Sequence, residues 1–293
     1  MSLKSKFRGI YLRLYFYFKN KKLYEDGYGL TYYLHKNSRA NDTFNLGVRT
    51  DDTTVLYTVD KILSSSTLNN NNNDNYIHCI DVGGYIGVVT LMMSKSLQNI
   101  KKKWKIHTFE PSDESFSRLQ ENINLDPFSS NIVLNNVAVS DKRDVSILKT
   151  YQDTPGENHL DVKDVLKNNI DKNSQEVIKI ITLRDYIYEN NIKHICICKI
   201  DTEGSDYLVI NGLHEYLEKK IVDYFIFEYH FLTCEKIKNI LTANGYEIFY
   251  MVRNENILIS SLENYPKNCK SLLNLIAVSP EKRNYFLKRF KTE

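Results

Sequence analysis

Apolar positions repeat with two different periods along most of the chain. Short apolar runs, typical of buried strands, alternate with segments whose apolar residues recur every three or four positions, which is typical of helices. The predicted strands are residues 77–82, 104–109, 132–139, 195–200, 224–227, 246–252 and 273–278, with a short extra strand at 144–149. The predicted helices are residues 88–97, 111–123, 182–189, 205–212, 234–244 and 282–291. This alternation favours an α/β fold in which helices cover a mostly parallel sheet.

An asparagine-rich tract, "NNNNNDN" at residues 69–75, divides the chain. Such a tract cannot bury apolar surface, so it predicts a solvated loop. We therefore expect an N-terminal extension over residues 1–68 that packs on the core, and a main domain over residues 76–293. Within the main domain, the polar residues 151–176 predict a long loop or an insertion.

Residues 1–23 combine basic and aromatic side chains and contain no acid. Two interpretations remain open for this segment. It is a helix packed on the domain with a solvated basic edge, or a peripheral helix that rests on an anionic membrane surface or a phosphorylated partner. Arg13 and Lys19 interrupt its apolar run, so it predicts neither a secretory signal nor a spanning helix.

Composition narrows the class of protein. The chain has 293 residues, of which 42% are hydrophobic and 26% charged, as in an ordinary globular protein with a large core. Its net charge of +3 is too small to indicate a nucleic-acid partner, and no DNA partner is expected. The five cysteines are odd in number and form no C-x-x-C pair, which argues against a disulfide framework and a zinc site. A reducing, cytoplasmic setting fits this usage. No pattern indicates an oligomeric state.

The first strand of the main domain ends in an acid and runs into three glycines, "IDVGGYIG". A dinucleotide site would need the spacing G-x-G-x-x-G. The spacing here is D-x-G-x-x-x-G, formed by Asp81, Gly83 and Gly87. An acid before the turn would repel a pyrophosphate and suits a cationic ligand such as S-adenosylmethionine, which carries an ammonium and a sulfonium and no phosphate. The alternative is a glycine turn with a purely structural role.

The second strand, "WKIHTFEPS", ends in Glu110. The C-terminal ends of neighbouring parallel strands meet at one edge of a sheet, where ligands bind in such folds. A carboxylate there can accept hydrogen bonds from both hydroxyls of a ribose. The alternative is a helix-start charge favoured by the helix dipole. Because Asp81 precedes the neighbouring glycine turn, ribose binding is the preferred interpretation.

Six segments resemble, in order, those of the FkbM-type family of S-adenosylmethionine-dependent methyltransferases. They are "IDVGGYIG", "TFEPSDESFSRLQENI", "NNVAVSD", "ITLRDYI", "CKIDTEGSDYLVINGL" and "FIFEYH", within residues 77–278. The resemblance implies the Rossmann-like class I methyltransferase fold, a seven-stranded mostly parallel sheet whose last strand is antiparallel. It also implies methyl transfer from S-adenosylmethionine, with S-adenosylhomocysteine as product, to a hydroxyl of a sugar or glycan acceptor.

The resemblance also implies a set of donor-binding residues. Asp81, Gly83, Gly84, Tyr85 and Gly87 would form the donor loop, Glu110 and Pro111 the ribose end, and Val137 and Ala138 the adenine wall, with Asp201 also near the donor. The family commonly has a small residue and then asparagine where this chain has Gly84 and Tyr85. Two roles are open to Tyr85: it replaces an amide contact to the methionine carboxylate, or it walls the pocket.

Four titratable residues follow the fourth and fifth strands: Asp201, Glu203, Glu228 and His230. A positioned base accelerates transfer to a hydroxyl by roughly 10²- to 10⁴-fold. Histidine titrates nearest neutrality, so His230 is the first candidate, with Asp201 and Glu203 as alternatives if burial raises their pKa values. Structural roles are the other interpretation: a carboxylate partner for His230 and a helix-start charge for Glu203.

Asp201, Glu203 and Glu228 also offer the oxygen ligands that Mg²⁺ prefers, but no dense acidic cluster is present and no metal is expected. Two alternatives to sugar O-methylation remain. One is methylation of an RNA ribose 2′-hydroxyl, in which the basic N-terminal segment would bind phosphates. The other is a non-catalytic module that binds the cofactor without turnover.

Overall fold

A computed structural model describes residues 21–35, 50–65, 75–149, 159–160, 175–230, 233–252, 257–259 and 274–290. The strands in these ranges are β1 Lys21–Glu25, β2 Thr31–His35, β3 Tyr76–Val82, β4 Lys103–Phe109, β5 Ile132–Asn135, β6 Ala138–Ser140, β7 Asp144–Lys149, β8 His159–Leu160, β9 Gln175–Thr182, β10 Ile195–Ile200, β11 Val222–Glu228, β12 Glu247–Val252, β13 Ile257–Ile259 and β14 Asn274–Val278. The helices are α1 Thr50–Leu63, α2 Val88–Leu97, α3 Asp113–Ile123, α4 Leu183–Glu189, α5 Asp206–Asn211, α6 His214–Glu218, α7 Cys234–Ala243 and α8 Arg283–Arg289.

The main sheet has the strand order β13-β12-β14-β11-β10-β3-β4-β5. Strands β11, β10, β3, β4 and β5 pair in parallel, and β14 pairs antiparallel with β11 and with β12. The predicted seven-stranded, mostly parallel sheet with an antiparallel last strand is therefore confirmed. The short strand β13 adds an eighth strand at the edge beside β12. Two hydrophobic clusters, one on each face, bury the sheet between the helices.

Local sequence explains where the helices begin. Ser112 is the N-cap of α3 and its side chain accepts from the Ser115 amide, and Thr182 caps α4 by accepting from the Asp185 amide. Such caps satisfy amides that have no intrahelical acceptor. Helix α2 instead follows Gly87, whose φ of 93° is easily adopted only by glycine.

The third predicted strand, residues 132–139, is wrong in extent. Strand β5 ends at Asn135, and residues 138–140 form β6 in a second sheet of order β6-β9-β7-β8. The Asn135 side chain donates to the Thr108 carbonyl, and the Asn135 carbonyl accepts from the Glu110 amide. These bonds anchor the end of β5 to β4, and the chain then leaves the main sheet.

The described part of the N-terminal extension packs on the main domain. Strands β1 and β2 form an antiparallel hairpin, and residues of β2 and α1 belong to the same buried cluster as α2 and α3. The Ser96 hydroxyl of α2 donates to Asp60 of α1 at 2.8 Å. The C-terminal helix α8 closes this side, since the Arg289 side chain donates to the Lys61 carbonyl of α1.

Several sequence predictions fall on residues outside the described ranges. These are the basic segment up to residue 20, most of the asparagine-rich tract, most of residues 151–176 and the end of the C-terminal tail. Within the described ranges, no helix is both long and apolar enough to cross a lipid bilayer.

A buried polar chain crosses the sheet beneath α4. The rings of His78 and His107 lie 3.0 Å apart, nitrogen to nitrogen, and the second ring nitrogen of His107 lies 2.9 Å from the Tyr186 hydroxyl. Both histidines are buried. Burial lowers the pKa of His107 to about 3, because the charged imidazolium would lose its hydration.

We expect the His107 environment to make the fold less stable in acid. The unfolded chain takes up this proton near pH 6.5 and the folded chain near pH 3, so stability falls as the pH decreases through that window. The loss attributable to His107 between pH 7 and pH 5 is about 2 kcal/mol. Urea midpoints at both pH values should show it as a smaller pH dependence in His107→Leu than in the wild type. The exposed His214, changed to leucine, is the control and should leave the pH dependence unaltered.

Candidate active site

The glycine loop, residues 83–87, lies at the C-terminal ends of β3, β4 and β10. Gly83 and Gly84 both donate to the Phe109 carbonyl of β4. A Cβ atom on Gly83, whose φ is 78°, would lie 1.8 Å from the Asp201 carbonyl oxygen, and one on Gly84 would lie 2.3 Å from Thr108. The loop therefore packs so closely on the neighbouring strand ends that side chains are excluded at both positions.

Asp81 lies directly beneath this loop and is fully buried. Its Oδ2 accepts from the Thr90 hydroxyl at 2.6 Å, and Thr90 in turn lies 2.8 Å from the Thr108 hydroxyl. Its Oδ1 has no hydrogen-bond partner among the described residues. Burial raises the pKa of Asp81, and the Lys199 ammonium opposes that rise. The Asp81 carboxyl group is thus held at the base of the loop, with one oxygen that accepts no hydrogen bond from the described residues.

Lys199 completes the base of the loop, although it is not among the residues predicted from the sequence. Its Nζ lies 3.7 Å from Asp81, 3.1 Å from Asp201 and 3.4 Å from the Gly83 carbonyl oxygen. The side chain is almost fully buried. A signal was available, because Lys199 is the only charged residue in the otherwise apolar strand "ICICKI". A buried lysine requires a partner, and strand pairing places Asp81 opposite it.

Glu110 holds the other side of the loop. Its Oε2 accepts from the Tyr85 amide at 2.9 Å and its Oε1 from the Ser112 amide at 3.0 Å. Burial raises the pKa of Glu110 to about 7, against the lowering effect of these two amides. The contact with Ser112 is the helix-start role considered above, and the contact with Tyr85 brings the carboxylate to the glycine loop. Each oxygen retains a lone pair for a further donor.

Tyr85 adopts the left-handed backbone conformation, with φ of 48°. Among residues other than glycine, asparagine adopts this conformation most readily. The position where the chain departs from the resembling family is therefore a strained one. The Tyr85 amide is used by Glu110, and its half-buried ring packs against the cluster containing α2 and α3.

Asp206 braces the loops that follow β10 and β11, and it too was missed. One oxygen accepts from the amide and the hydroxyl of Thr202, at 2.8 and 2.6 Å, and the other accepts from the Glu228 amide at 3.3 Å. Burial raises the pKa of Asp206 to about 6. The motif "DTEGSD" contains three acids, and spacing alone does not distinguish the bracing one.

This brace connects the two chain segments that carry the predicted catalytic residues. Glu203, with φ of 50°, precedes Gly204, and the His230 ring lies over Gly204, with Nε2 3.6 Å from the position of a Cβ atom there. The His230 Nδ1 is buried and has no partner among the described residues. Glu228 is the last residue of β11, and its backbone amide donates to Asp206. The two loops are half-buried and form one wall at the same edge as the glycine loop.

The residues predicted to line an adenine are only partly at this edge. Ala138 is buried in a small cluster of the second sheet, with Leu148 and Ile178, and Val137 is half-buried against the main core. Asn136, which the sequence analysis passed over, donates to the Glu110 and Pro111 carbonyls at 3.1 and 3.2 Å. Asn136 therefore supports the segment that carries Glu110 and Pro111.

Among the described residues, no three His, Cys, Asp or Glu side chains converge in a way that could hold a metal ion. Asp201, one of the proposed Mg²⁺ ligands, is instead paired with Lys199.

Comparison with protein families identifies the chain. The model of the methyltransferase FkbM domain matches residues 81–248, which is more than half of the 293 residues. The chain belongs to the FkbM methyltransferase-domain family. The match begins at Asp81 and includes the glycine loop, Glu110, Lys199, Asp206 and His230.

Solved structures give weaker similarities. The methyltransferase FkbM of Methylobacillus flagellatus KT is 13% identical, with a TM-score of 0.45, over 81% of this chain and 52% of that one. A SAM-dependent methyltransferase of Agrobacterium tumefaciens is 10% identical, with a TM-score of 0.48, over 89% and 71%. The N-terminal domain of human METTL16 is 12% identical, with a TM-score of 0.41, over 78% and 69%. The chain thus spans about half the length of the M. flagellatus protein. No curated protein matches.

The FkbM domain of this chain has features that fit S-adenosylmethionine. Asp81 places beneath the glycine loop a carboxyl oxygen that accepts no hydrogen bond from the described residues and lies 3.7 Å from the Lys199 ammonium. The loop has no room for side chains at Gly83 and Gly84, so its backbone forms the surface there. Glu110 offers two carboxylate oxygens on the other side of Tyr85. An acid on either side of the loop suits a cationic nucleoside and disfavours a pyrophosphate.

Proposed function

We propose that the protein transfers a methyl group from S-adenosylmethionine to a hydroxyl oxygen of a sugar or glycan. The observation that carries the proposal is the position of Asp81 and Glu110 on either side of one glycine loop. Glu110 accepts a hydrogen bond from the Tyr85 amide of the loop. Asp81 is connected to the loop through Lys199, which contacts both Asp81 and the Gly83 carbonyl. Family membership supports the methyl-transfer chemistry, and the resemblance of the motifs to sugar-modifying members supports the acceptor.

The chain's own residues would bind and orient the donor. Glu110 accepts from the two ribose hydroxyls while the Tyr85 amide keeps its carboxylate in place. Two acids, Asp81 and Asp201, share the single ammonium of Lys199 beneath the loop, where the cationic end of the donor would lie. Val137 is the proposed adenine contact and Pro111 the proposed contact beside the ribose, and both are partly exposed. S-adenosylmethionine supplies an electrophilic methyl group on its sulfonium.

His230 is the proposed base for the acceptor hydroxyl. Its Nε2 faces Gly204, which has no side chain to block the approach of a hydroxyl. Asp201 is already paired with Lys199, and the segment that leads to Glu228 is held by Asp206. Asp206 thereby positions His230 and Glu203 from the two adjacent loops. Holding the hydroxyl in line with the methyl group contributes about 7–11 kcal/mol to such reactions.

An RNA ribose is the second candidate acceptor, because the chemistry at a 2′-hydroxyl is identical. The basic residues 1–23 favour it, since lysine and arginine bind phosphates. The two acceptors differ in their response to salt. Methylation of an oligonucleotide should fall steeply as salt is raised, and methylation of a neutral glycan should not.

Donor binding is the direct test of the proposed site. We expect Glu110→Ala to raise the Kd for S-adenosylmethionine about 30-fold, which corresponds to about 2 kcal/mol, because charged hydrogen bonds to the ribose are lost. Isothermal titration calorimetry measures the change. Glu114→Gln, at an exposed glutamate in the first turn of α3, is the control and should leave the Kd unchanged.

Proton linkage gives a second readout of the same site. The pKa of Glu110 is about 7 in the folded protein, so its carboxylate is progressively protonated as the pH falls below 7. Donor affinity should weaken over that range, and Glu110→Gln should remove this component of the pH dependence. Equal donor binding by the wild type and Glu110→Ala would reject the ribose role.

A further inference from the structure

A single buried amide joins the N-terminal hairpin to the glycine loop. Asn122, near the end of α3, is fully buried. Its Oδ1 accepts from the Tyr33 amide of β2 at 2.7 Å, and its Nδ2 donates to the Ile86 carbonyl at 2.8 Å. Tyr33 belongs to the hairpin and Ile86 to the glycine loop. The two segments are therefore connected through one side chain whose two polar groups are both used.

The hairpin is attached at a second point, through its turn. Asp26 accepts from the amides of Tyr28 and Leu30 at 2.8 and 2.9 Å, which fixes the turn. The Lys95 ammonium of α2 donates to the Tyr28 carbonyl. Helix α2 begins directly after Gly87, and α3 carries Asn122. The hairpin thus contacts both helices that flank the glycine loop.

Apolar packing connects the same parts. Tyr32 and Leu34, on either side of Tyr33, are buried in the cluster that also contains Ile86. Leu119 of α3 lies 2.8 Å from the position of a Cβ atom on Gly87. Close-packed interiors transmit displacements because there is little free volume to absorb them. A shift of the hairpin would therefore move α3, and with it Asn122, against the loop.

We propose that Asn122 is a positioning residue of the donor site, and that donor binding and the hairpin are thermodynamically coupled through it. The inference rests on the proposed function, since it concerns the S-adenosylmethionine site. The hairpin, residues 21–35, lies outside the residues 81–248 that match the family, so family membership assigns it no part in binding. The two hydrogen bonds of Asn122 connect the hairpin to the glycine loop and so give the hairpin a part in binding.

Coupling of this kind is reciprocal. If an ordered hairpin favours the donor-binding form of the loop, then a bound donor must stabilise the hairpin by the same free energy. Coupling between sites typically changes affinity by about 5- to 150-fold. With two neutral hydrogen bonds involved, we expect an effect of about tenfold.

The first experiment uses the wild-type chain of 293 residues. Amide hydrogen exchange is followed with and without saturating S-adenosylhomocysteine, the product of the proposed reaction. We expect exchange in β2, and at Tyr33 above all, to slow about tenfold when the ligand is bound. Strand β2 carries none of the proposed ligand contacts, so exchange that slows more in β2 than in the equally contact-free strand β12 reports coupling and not the general stabilisation that any bound ligand gives.

The second experiment uses Asn122→Asp. This change keeps an acceptor for the Tyr33 amide but removes the donor to Ile86 and places a carboxylate against the Ile86 carbonyl. The Kd for S-adenosylhomocysteine should rise about tenfold, and the ligand should no longer slow exchange in β2. The matched control is Tyr246→Phe, which removes a buried hydrogen bond of 2.9 Å to the Val222 carbonyl away from the site. It should lose stability and keep its Kd within twofold.

The outcomes separate this inference from the proposed function. Wild-type protein that binds S-adenosylhomocysteine without any change in β2 exchange overturns the coupling and leaves the proposed function intact. An Asn122→Asp protein that binds S-adenosylhomocysteine with the wild-type Kd also overturns the coupling and leaves the proposed function intact. If Asn122→Asp does not fold, the wild-type exchange experiment decides alone. Absence of any binding by the wild type overturns the proposed function and this inference together.

Discussion

Replacing Gly83 by alanine is expected to lower the free energy of unfolding by more than about 4 kcal/mol and to abolish donor binding. The added Cβ atom would lie 1.8 Å from the Asp201 carbonyl oxygen, and a backbone atom cannot move aside as a flexible side chain would. The φ of 78° adds strain for any residue other than glycine. Relief requires β3 and β10 to separate at the edge where the site is built.

Differential scanning calorimetry measures the effect, which should appear as a decrease in Tm of about 10 °C or more. Gly27→Ala is the matched control: no atom lies within 4 Å of its Cβ position, and its φ is not in the left-handed region. It should change the unfolding free energy by less than about 0.5 kcal/mol. A Gly83→Ala protein with the wild-type Tm would show that the close approach of the loop to Asp201 is absent in solution.

The main sheet was predictable because its signals are local. The strand Ile195–Ile200 is a continuous apolar run bounded by polar residues, and helix Val88–Leu97 follows a glycine that ends the preceding turn. Both were predicted with the bounds that the structure has. The error at residues 132–139 arose because apolar residues stand on both sides of Asn135 and Asn136, where the chain changes sheet. The periodicity of apolar residues indicates that a segment is buried, but it does not indicate to which sheet the segment belongs.

The candidate site was predictable to the extent that it follows strand ends. Asp81 lies near the end of β3, and Glu110 and His230 follow β4 and β11 within two residues, so the topology of a parallel sheet places them at one edge. Lys199 and Asp206 were missed because their roles depend on partners 118 and 22 residues away, Asp81 and Glu228. Asn122 gave no signal, since a polar residue within an amphipathic helix is ordinarily exposed. The isolated charge of Lys199 in an apolar strand indicates that it needs a partner, but the identity of the partner, like the contacts of Asp206 and Asn122, becomes visible only once the chain is folded.

Replacing Lys199 by methionine is expected to destabilise the protein by about 3–5 kcal/mol, because it leaves the carboxylate of Asp81 buried without its counter-ion. Asp81 is fully buried, so solvent does not screen the pair. The control is Lys238→Met, which breaks an ion pair with the exposed Glu235 and should cost less than about 1 kcal/mol. Urea denaturation of each variant gives the free energies.

The double variant Asp81→Asn/Lys199→Met tests whether the two charges act as a pair. It removes both, so its destabilisation should be smaller than the sum of the single changes by about 1–3 kcal/mol. The pH dependence has a definite sign. Without Lys199 the pKa of Asp81 rises further, and the folded protein takes up a proton before the unfolded chain does, so the loss in Lys199→Met should shrink as the pH is lowered from 8 to 5. Strict additivity, or a loss that grows in acid, would mean that Lys199 stabilises the loop through Gly83 and Asp201 alone and that Asp81 is not its partner.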